Sequence, residues 1–181
     1  IIKGKKARIF MKAVVYREYA PDDDYAKILK VEDIDEPKPK QDEVIFTNKA
    51  SALNYNDIWG MRGVPIPVPL PHVSGSDVAG DVIAVGEDVK GFKVGDRVVS
   101  HSNLACRVCG MCTSGREFDC AKRLVWGFQT GPNWGAFSEI THLPEVNVSK
   151  IPEGVSYDEA AAASMTILTS WHMLVGRAKI T

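Results

Sequence analysis

The 181 residues carry 22 Lys+Arg against 23 Asp+Glu, a formal net charge of -1, and 45% of them are hydrophobic. That balance gives no electrostatic case for nucleic acid or an anionic membrane, and no apolar run approaches a bilayer span. The opening IIKGKKARIF is basic but lacks the apolar core of a secretory signal, so the chain reads as a soluble, cytoplasmic protein with a hydrophobic core of its own.

Residues 1–10 read as an N-terminal extension ahead of Met11. Strand patterns follow at 8–17, 25–34 and 42–53, the last two alternating. The run Val64–Pro71 is proline-rich and predicts a stiff extended loop, with a wall of a substrate channel as its functional reading. Further strands are expected at 77–86, 94–101, 135–142 and 146–149, with Gly75, Gly80, Gly91 and Gly95 marking bends of a curling sheet. Ser156 then caps a helix through YDEAAAASM, and ILTSWHMLVGRA continues at helical spacing. A β-rich body ending in alanine-rich helices leaves those helices little to pack on. An apolar face over Ala160–Ala163 and Ile167–Val175 is expected, and the stop at Thr181 reads as a fragment.

All four cysteines fall within fifteen residues, Cys106, Cys109, Cys112 and Cys120. Disulfides suit small secreted domains with weak cores. A ferredoxin-type iron–sulfur cluster would want a shorter last gap and a following proline, where this chain has seven residues and Ala121. A closed, structural zinc site with four thiolates remains, one per chain.

The order MKAVVY, LNYND, SGSDVAGDVIAVGEDVKGFKVGDRVV, the cysteine loop, GAFSEI and EAAAASMTILTSWHML resembles the medium-chain dehydrogenases/reductases, the zinc-alcohol-dehydrogenase-like superfamily. The resemblance implies a mainly β fold with flanking helices. Its body would be a GroES-like partial β-barrel with a structural zinc lobe over residues 11–155. Crossover helices over 156–181 would lead to a nucleotide-binding Rossmann domain absent from this sequence. The two candidate glycine patterns, Gly60–Gly63 and Gly75–Gly80, both lack dinucleotide-loop spacing. NADPH is therefore expected to be held by the missing domain, with Thr169 as this chain's contribution to cofactor binding. A homodimer or homotetramer is implied as well.

Zinc alcohol dehydrogenases hold a second, catalytic metal with Cys, His and Cys. The matching positions here are Asn54, Ser76 and roughly Met165, a poor donor set for zinc. The resemblance therefore points to the branch without catalytic zinc. Within it, Asn54–Trp59, Pro71–Gly80 and Val125–Thr130 are similar to acryloyl-CoA reductases and crotonyl-CoA carboxylase/reductases. That similarity implies an acyl-CoA substrate, Asn54, Asp57, Phe128 and Gln129 as catalytic residues, and Tyr55, Trp59, His72 and Trp126 around the substrate. Gln129 stands where the carboxylating enzymes have Glu, which favours plain reduction. Each residue also has a structural reading: Asn54 as a helix cap, Trp59, Trp126 and Phe128 as core aromatics, His72 as a hydrogen-bonded brace. His101, His142 and His172 read as structural. A quinone or enone reductase, a zinc-type alcohol dehydrogenase-like protein and a non-enzymatic GroES-like adapter are the competing functions.

Overall fold

A computed structural model describes residues 10–132 and 134–180, so most of the expected N-terminal extension lies outside the described residues. The chain runs through β1 (Phe10–Val15), α1 (Tyr25–Ile28), β2 (Lys30–Asp35), β3 (Glu43–Thr47), β4 (Ala50–Ala52) and α2 (Tyr55–Arg62). It continues through β5 (Asp77–Val85), β6 (Arg97–Ser100), β7 (Asn103–Leu104), α3 (Gly110–Thr113) and β8 (Leu124–Val125). β9 (Ile140–Pro144), β10 (Val148–Lys150) and α4 (Tyr157–Trp171) complete it.

Six strands form one antiparallel sheet in the order β10-β6-β5-β3-β9, with β4 paired to β5. β5 is its hub. Its C-terminal half pairs with β3 and its N-terminal half with β4. The expected strand over 42–53 therefore breaks at Asn48 and Lys49, where the chain crosses over Gly80. A Cβ on Gly80 would lie 1.5 Å from the Thr47 carbonyl oxygen, so only glycine allows the crossing. Val44, Phe46, Val78, Val82, Val98, Trp126 and Leu143 fill the curl of the sheet.

β1 and β2 form a separate antiparallel pair, fastened to the body by single bridges between Ala13 and Ser138 and between Tyr16 and His72. The strand expected over 25–34 starts only at Lys30. Residues 25–28 coil into a helical turn because that turn buries Ile28 beside Tyr16 and Met61, and tertiary burial outweighs alternation. The strand expected from 135 begins at Ile140, because Gly135 is pressed against the Val73 and Ser74 carbonyls. Glu145–Asn147 forms a 3-10 turn before β10.

α4 opens with the reciprocal cap its sequence announces: Ser156 Oγ accepts from Glu159 N–H at 3.2 Å, and the Glu159 carboxylate accepts from Ser156 N–H at 2.8 Å. Its first half corrects the expectation of an unpartnered helix. Ala160 and Ala161 are buried against Ala79 and Ile151 on the sheet, where small side chains permit close approach. Only the second half presents the expected apolar face, with Ile167 60% and Trp171 65% exposed. The helix runs on through a wide π-type turn over His172–Arg177. No described helix is long and apolar enough to cross a membrane.

Glu43 ties β3 to β9. It is buried, with Lys40 Nζ at 2.9 Å on one oxygen and His142 Nδ1 at 3.2 Å on the other. Burial pushes its carboxyl up, but His142 and Lys40 outweigh burial and bring it down to about 2. A folded-state value below the unfolded one, roughly 4.3, contributes stability that is present above the unfolded value and lost as pH falls through the folded one. The melting temperature should therefore drop between roughly pH 4.5 and 2.5 in the wild type. Glu43→Gln should be less stable at neutral pH and show a shallower acid slope. Parallel melting profiles for the two proteins would contradict the pairing.

Candidate active site

Asn54 caps α2, and Asp57 occupies the third helical position. One Asp57 oxygen accepts from Asn54 N–H at 2.8 Å, and the other accepts from Gly75 N–H at 3.0 Å. Gly75 adopts φ +102, a conformation that glycine takes without strain. Burial pushes Asp57 up to about 6; the two N–H donors pull it back, and the neighbouring Asp77 adds to the rise. Asp77, 1% exposed, accepts from Asn54 Nδ2 at 2.9 Å and, through its other oxygen, from Met165 N–H of α4 at 3.0 Å. Burial raises its carboxyl too, with Asn54, Met165 and Ser164 opposing. Ser76 is fully buried, and its Oγ accepts from Asn56 Nδ2 at 2.9 Å.

Beside this cluster opens a cleft of about 490 Å³. Asn54, Asp57, Ser51, Ser74 and Tyr16 supply its polar groups, and Tyr16 Oη lies 3.4 Å from Ser74 Oγ. Val14, Leu29, Leu53, Ile58, Met61 and Phe137 make the rest apolar. An apolar slot with a few convergent polar groups has the make-up of a small-molecule pocket.

Of the residues singled out in the sequence, Asn54 and Asp57 line this cleft. Asn54 also fulfils its structural reading as a helix cap. Tyr55 and Trp59 stand on the exposed side of α2, edge to face at 5.5 Å. His72 is fully buried, with Nδ1 3.1 Å from the Pro69 carbonyl and Nε2 3.2 Å from that of Gly127. It braces two loops. Phe128 packs with Tyr16, Met61 and Val68, and the Gln129 Oε1 accepts from Val125 N–H at 2.9 Å, closing its own turn. Trp126, 1% exposed, borders a different cavity of about 240 Å³ with Thr141 and His142. In the proline-rich run, Val68 is buried while Val64 and Ile66 are exposed, and none of the three borders the cleft. Thr169 is exposed on α4. The Gly75–Gly80 stretch leads into β5, not a helix, and forms no dinucleotide cradle. Tyr16 and Ser74 lie within the quoted stretches MKAVVY and Pro71–Gly80 but were given no role there; the fold brings them to the cleft.

The four cysteines converge. They are free thiols, and their sulfurs all lie within 4.8 Å of one another, Cys106 and Cys112 at 3.8 Å and Cys109 and Cys112 at 3.5 Å. A tetrahedron with zinc–sulfur bonds of about 2.3 Å has edges of ~3.8 Å, so the cluster fits that ion. The Val108 and Cys109 N–H groups draw Cys106 down to about 6, while burial pushes Cys112 up to about 12. Among the described residues, this is the one group of three or more His, Cys, Asp or Glu side chains so gathered.

Residues 40–153 match the alcohol dehydrogenase GroES-like domain, and the chain belongs to that family, within the medium-chain dehydrogenases/reductases. It is 34% identical over 154 residues to the crotonyl-CoA carboxylase/reductase of Cereibacter sphaeroides, covering 82% of this chain and 35% of that protein. It is 34% identical over 132 residues to the acryloyl-coenzyme A reductase of Sulfurisphaera tokodaii, covering 73% and 38%. A crystal structure of an NAD-dependent alcohol dehydrogenase superposes with TM-score 0.84 at 40% identity, over 92% of this chain and 47% of that one. The chain thus spans little more than a third of the curated relatives named here.

Two outcomes follow from this geometry. Asp57→Asn leaves one of two buried N–H groups without an acceptor, and equilibrium unfolding should show a loss of about 1–3 kcal/mol; an unchanged midpoint would contradict the junction. Elemental analysis should give one zinc per chain, and Cys109→Ser should lose the metal and melt at lower temperature. Wild-type protein that binds no zinc would refute the tetrahedral reading.

Proposed function

We propose that this chain is the substrate-side part of an NADPH-dependent reductase of 2,3-unsaturated acyl-CoA thioesters such as acryloyl- or crotonyl-CoA. Residues 11–155 form the catalytic body and 156–181 the crossover. The observation that carries the reading is the Asn54 amide lining an apolar cleft, where zinc alcohol dehydrogenases have a metal-binding thiolate. Similarity to two enoyl-CoA enzymes supports it. Ser76 supports it as well: its hydroxyl is buried and already accepts from Asn56, so it is no substitute for a metal-bound imidazole.

The dinucleotide, when bound, supplies a hydride to the β-carbon of the thioester. Negative charge then develops on the thioester oxygen, and a donor fixed beside that oxygen lowers the barrier. One N–H of Asn54 is taken by Asp77; the other is free to meet the oxygen. Both Asp57 oxygens already accept backbone N–H groups, which ties that carboxyl to the junction, and solvent water is the proposed source of the proton at the α-carbon. Gln129, neutral and engaged with its own turn, lacks the charge with which the Glu of the carboxylating relatives anchors an ordered water, and the product is the saturated acyl-CoA. The zinc in the cysteine loop is structural.

The 40% identity to an NAD-dependent alcohol dehydrogenase favours a second reading, oxidation of an alcohol. Steady-state assays of the full-length enzyme separate the two. NADPH oxidation with crotonyl-CoA or acryloyl-CoA should exceed that with a simple quinone, and NAD reduction with primary or secondary alcohols should be slight. Asn54→Ala should lower kcat by roughly 10²–10³-fold, the range for one lost donor to a developing oxyanion. Faster turnover of alcohols than of enoyl thioesters would replace this reading with the second.

A further inference from the structure

Asp77 is a buried carboxylate with no cation among its hydrogen-bond partners and a purpose that packing alone does not explain. Its Oδ2 faces Asn54 Nδ2 at 2.9 Å and its Oδ1 faces Met165 N–H at 3.0 Å. The charged group bearing on it is another acid, Asp57. An ionised carboxylate can only accept hydrogen bonds, so it dictates which end of the Asn54 amide it meets. The nitrogen must turn toward Asp77, and the amide cannot flip without setting oxygen against oxygen. The Met165 N–H lies inside α4, where the carbonyl four residues back competes for it; the position of α4 therefore sets where the carboxylate stands.

We infer that Asp77 is a positioning residue: it fixes the Asn54 amide with its second N–H available to the cleft and links that amide to the crossover helix α4. The identity of the group meeting that N–H, a thioester oxygen, rests on the enoyl-CoA reading. The clamp itself does not.

Two substitutions separate charge from packing. Asp77→Asn keeps the shape and loses the obligatory acceptor, whereas Asp77→Glu keeps the acceptor and changes the shape. In the full-length enzyme with crotonyl-CoA, Asp77→Asn should lower kcat roughly 10- to 100-fold, the scale of a misaimed catalytic group, with KM changed by less than about 3-fold. Asp77→Glu should retain more activity than Asp77→Asn; the reverse order would show that Asp77 serves packing only and would overturn the inference. Because Asp77 acts through Asn54, its substitution should cost nothing further in an Asn54→Ala background. An equal loss in both backgrounds would also overturn it. If Asp77→Asn does not fold, the same cycle with Asp77→Glu decides.

A readout independent of turnover is the Asn54 side-chain amide in nitrogen-15 spectra of the full-length enzyme. Its two protons should be widely separated in the wild type, one of them bound to a carboxylate, and should draw together in the folded Asp77 variant. An unchanged pair would refute the clamp. A wild type that turns over alcohols but not enoyl thioesters would remove the substrate reading while the spectra and the cycle, run on the alcohol, still judge Asp77.

Discussion

The Asp57 carboxylate is the backbone clasp of a junction that the Asn54–Asp77 and Asn56–Ser76 side-chain hydrogen bonds also hold. By accepting Asn54 N–H with one oxygen and Gly75 N–H with the other, it locks the start of α2 to the loop that enters β5. Asn54 and Ser74, two of the polar groups in the cleft, lie at or next to that junction. Asn54 stands where it does because Asp57 holds its backbone; Ser74 and Ser76 flank the glycine whose N–H Asp57 holds. Burial makes this carboxylate costly to ionise, so the junction holds a strained charge in place with backbone donors and no counter-ion. That arrangement is rigid because a buried acceptor cannot lose either donor without a large penalty.

The loop around Trp126 illustrates how a hydrophobic core can serve a site without lining it. Gly127 has φ +75, and a Cβ there would lie 1.9 Å from the Gly75 carbonyl oxygen. The aromatic loop is thus pressed directly on the backbone that Asp57 grips, and His72 braces it from the other side. Phe128 fills the space behind α2, close to Gly60. Neither Trp126 nor Phe128 borders the cleft; both pack behind the backbone that does.

The sequence made the cysteine cluster legible because four ligands within fifteen residues are a local constraint, fixed by spacing alone. Most strands were legible for a similar reason: alternation is local. The departures were all non-local. Ile28 joins a helical turn because Tyr16 and Met61 await it. The strand over 42–53 breaks because Gly80, thirty residues on, admits a crossing backbone. Of the motif residues, Asn54 and Asp57 border the cleft while Trp126, Phe128 and Gln129 do not, since a motif carries no information about where the fold places a side chain. Tyr16 and Ser74 could be found only once β1 had been docked on the loop after Pro71 by the Tyr16–His72 bridge.

The alanines of α4 acquire a further meaning from their burial. Ala161 is 1% exposed against the sheet, one helical turn before Met165, whose N–H reaches Asp77 at 3.0 Å. A methyl group is therefore the shim that sets the gap between helix and sheet. A bulkier side chain at that position would crowd Ala79 and Ile151 one turn from the Met165–Asp77 bond. Side-chain size on the helix face that meets the sheet thus bears on the spacing of a polar network one turn further along.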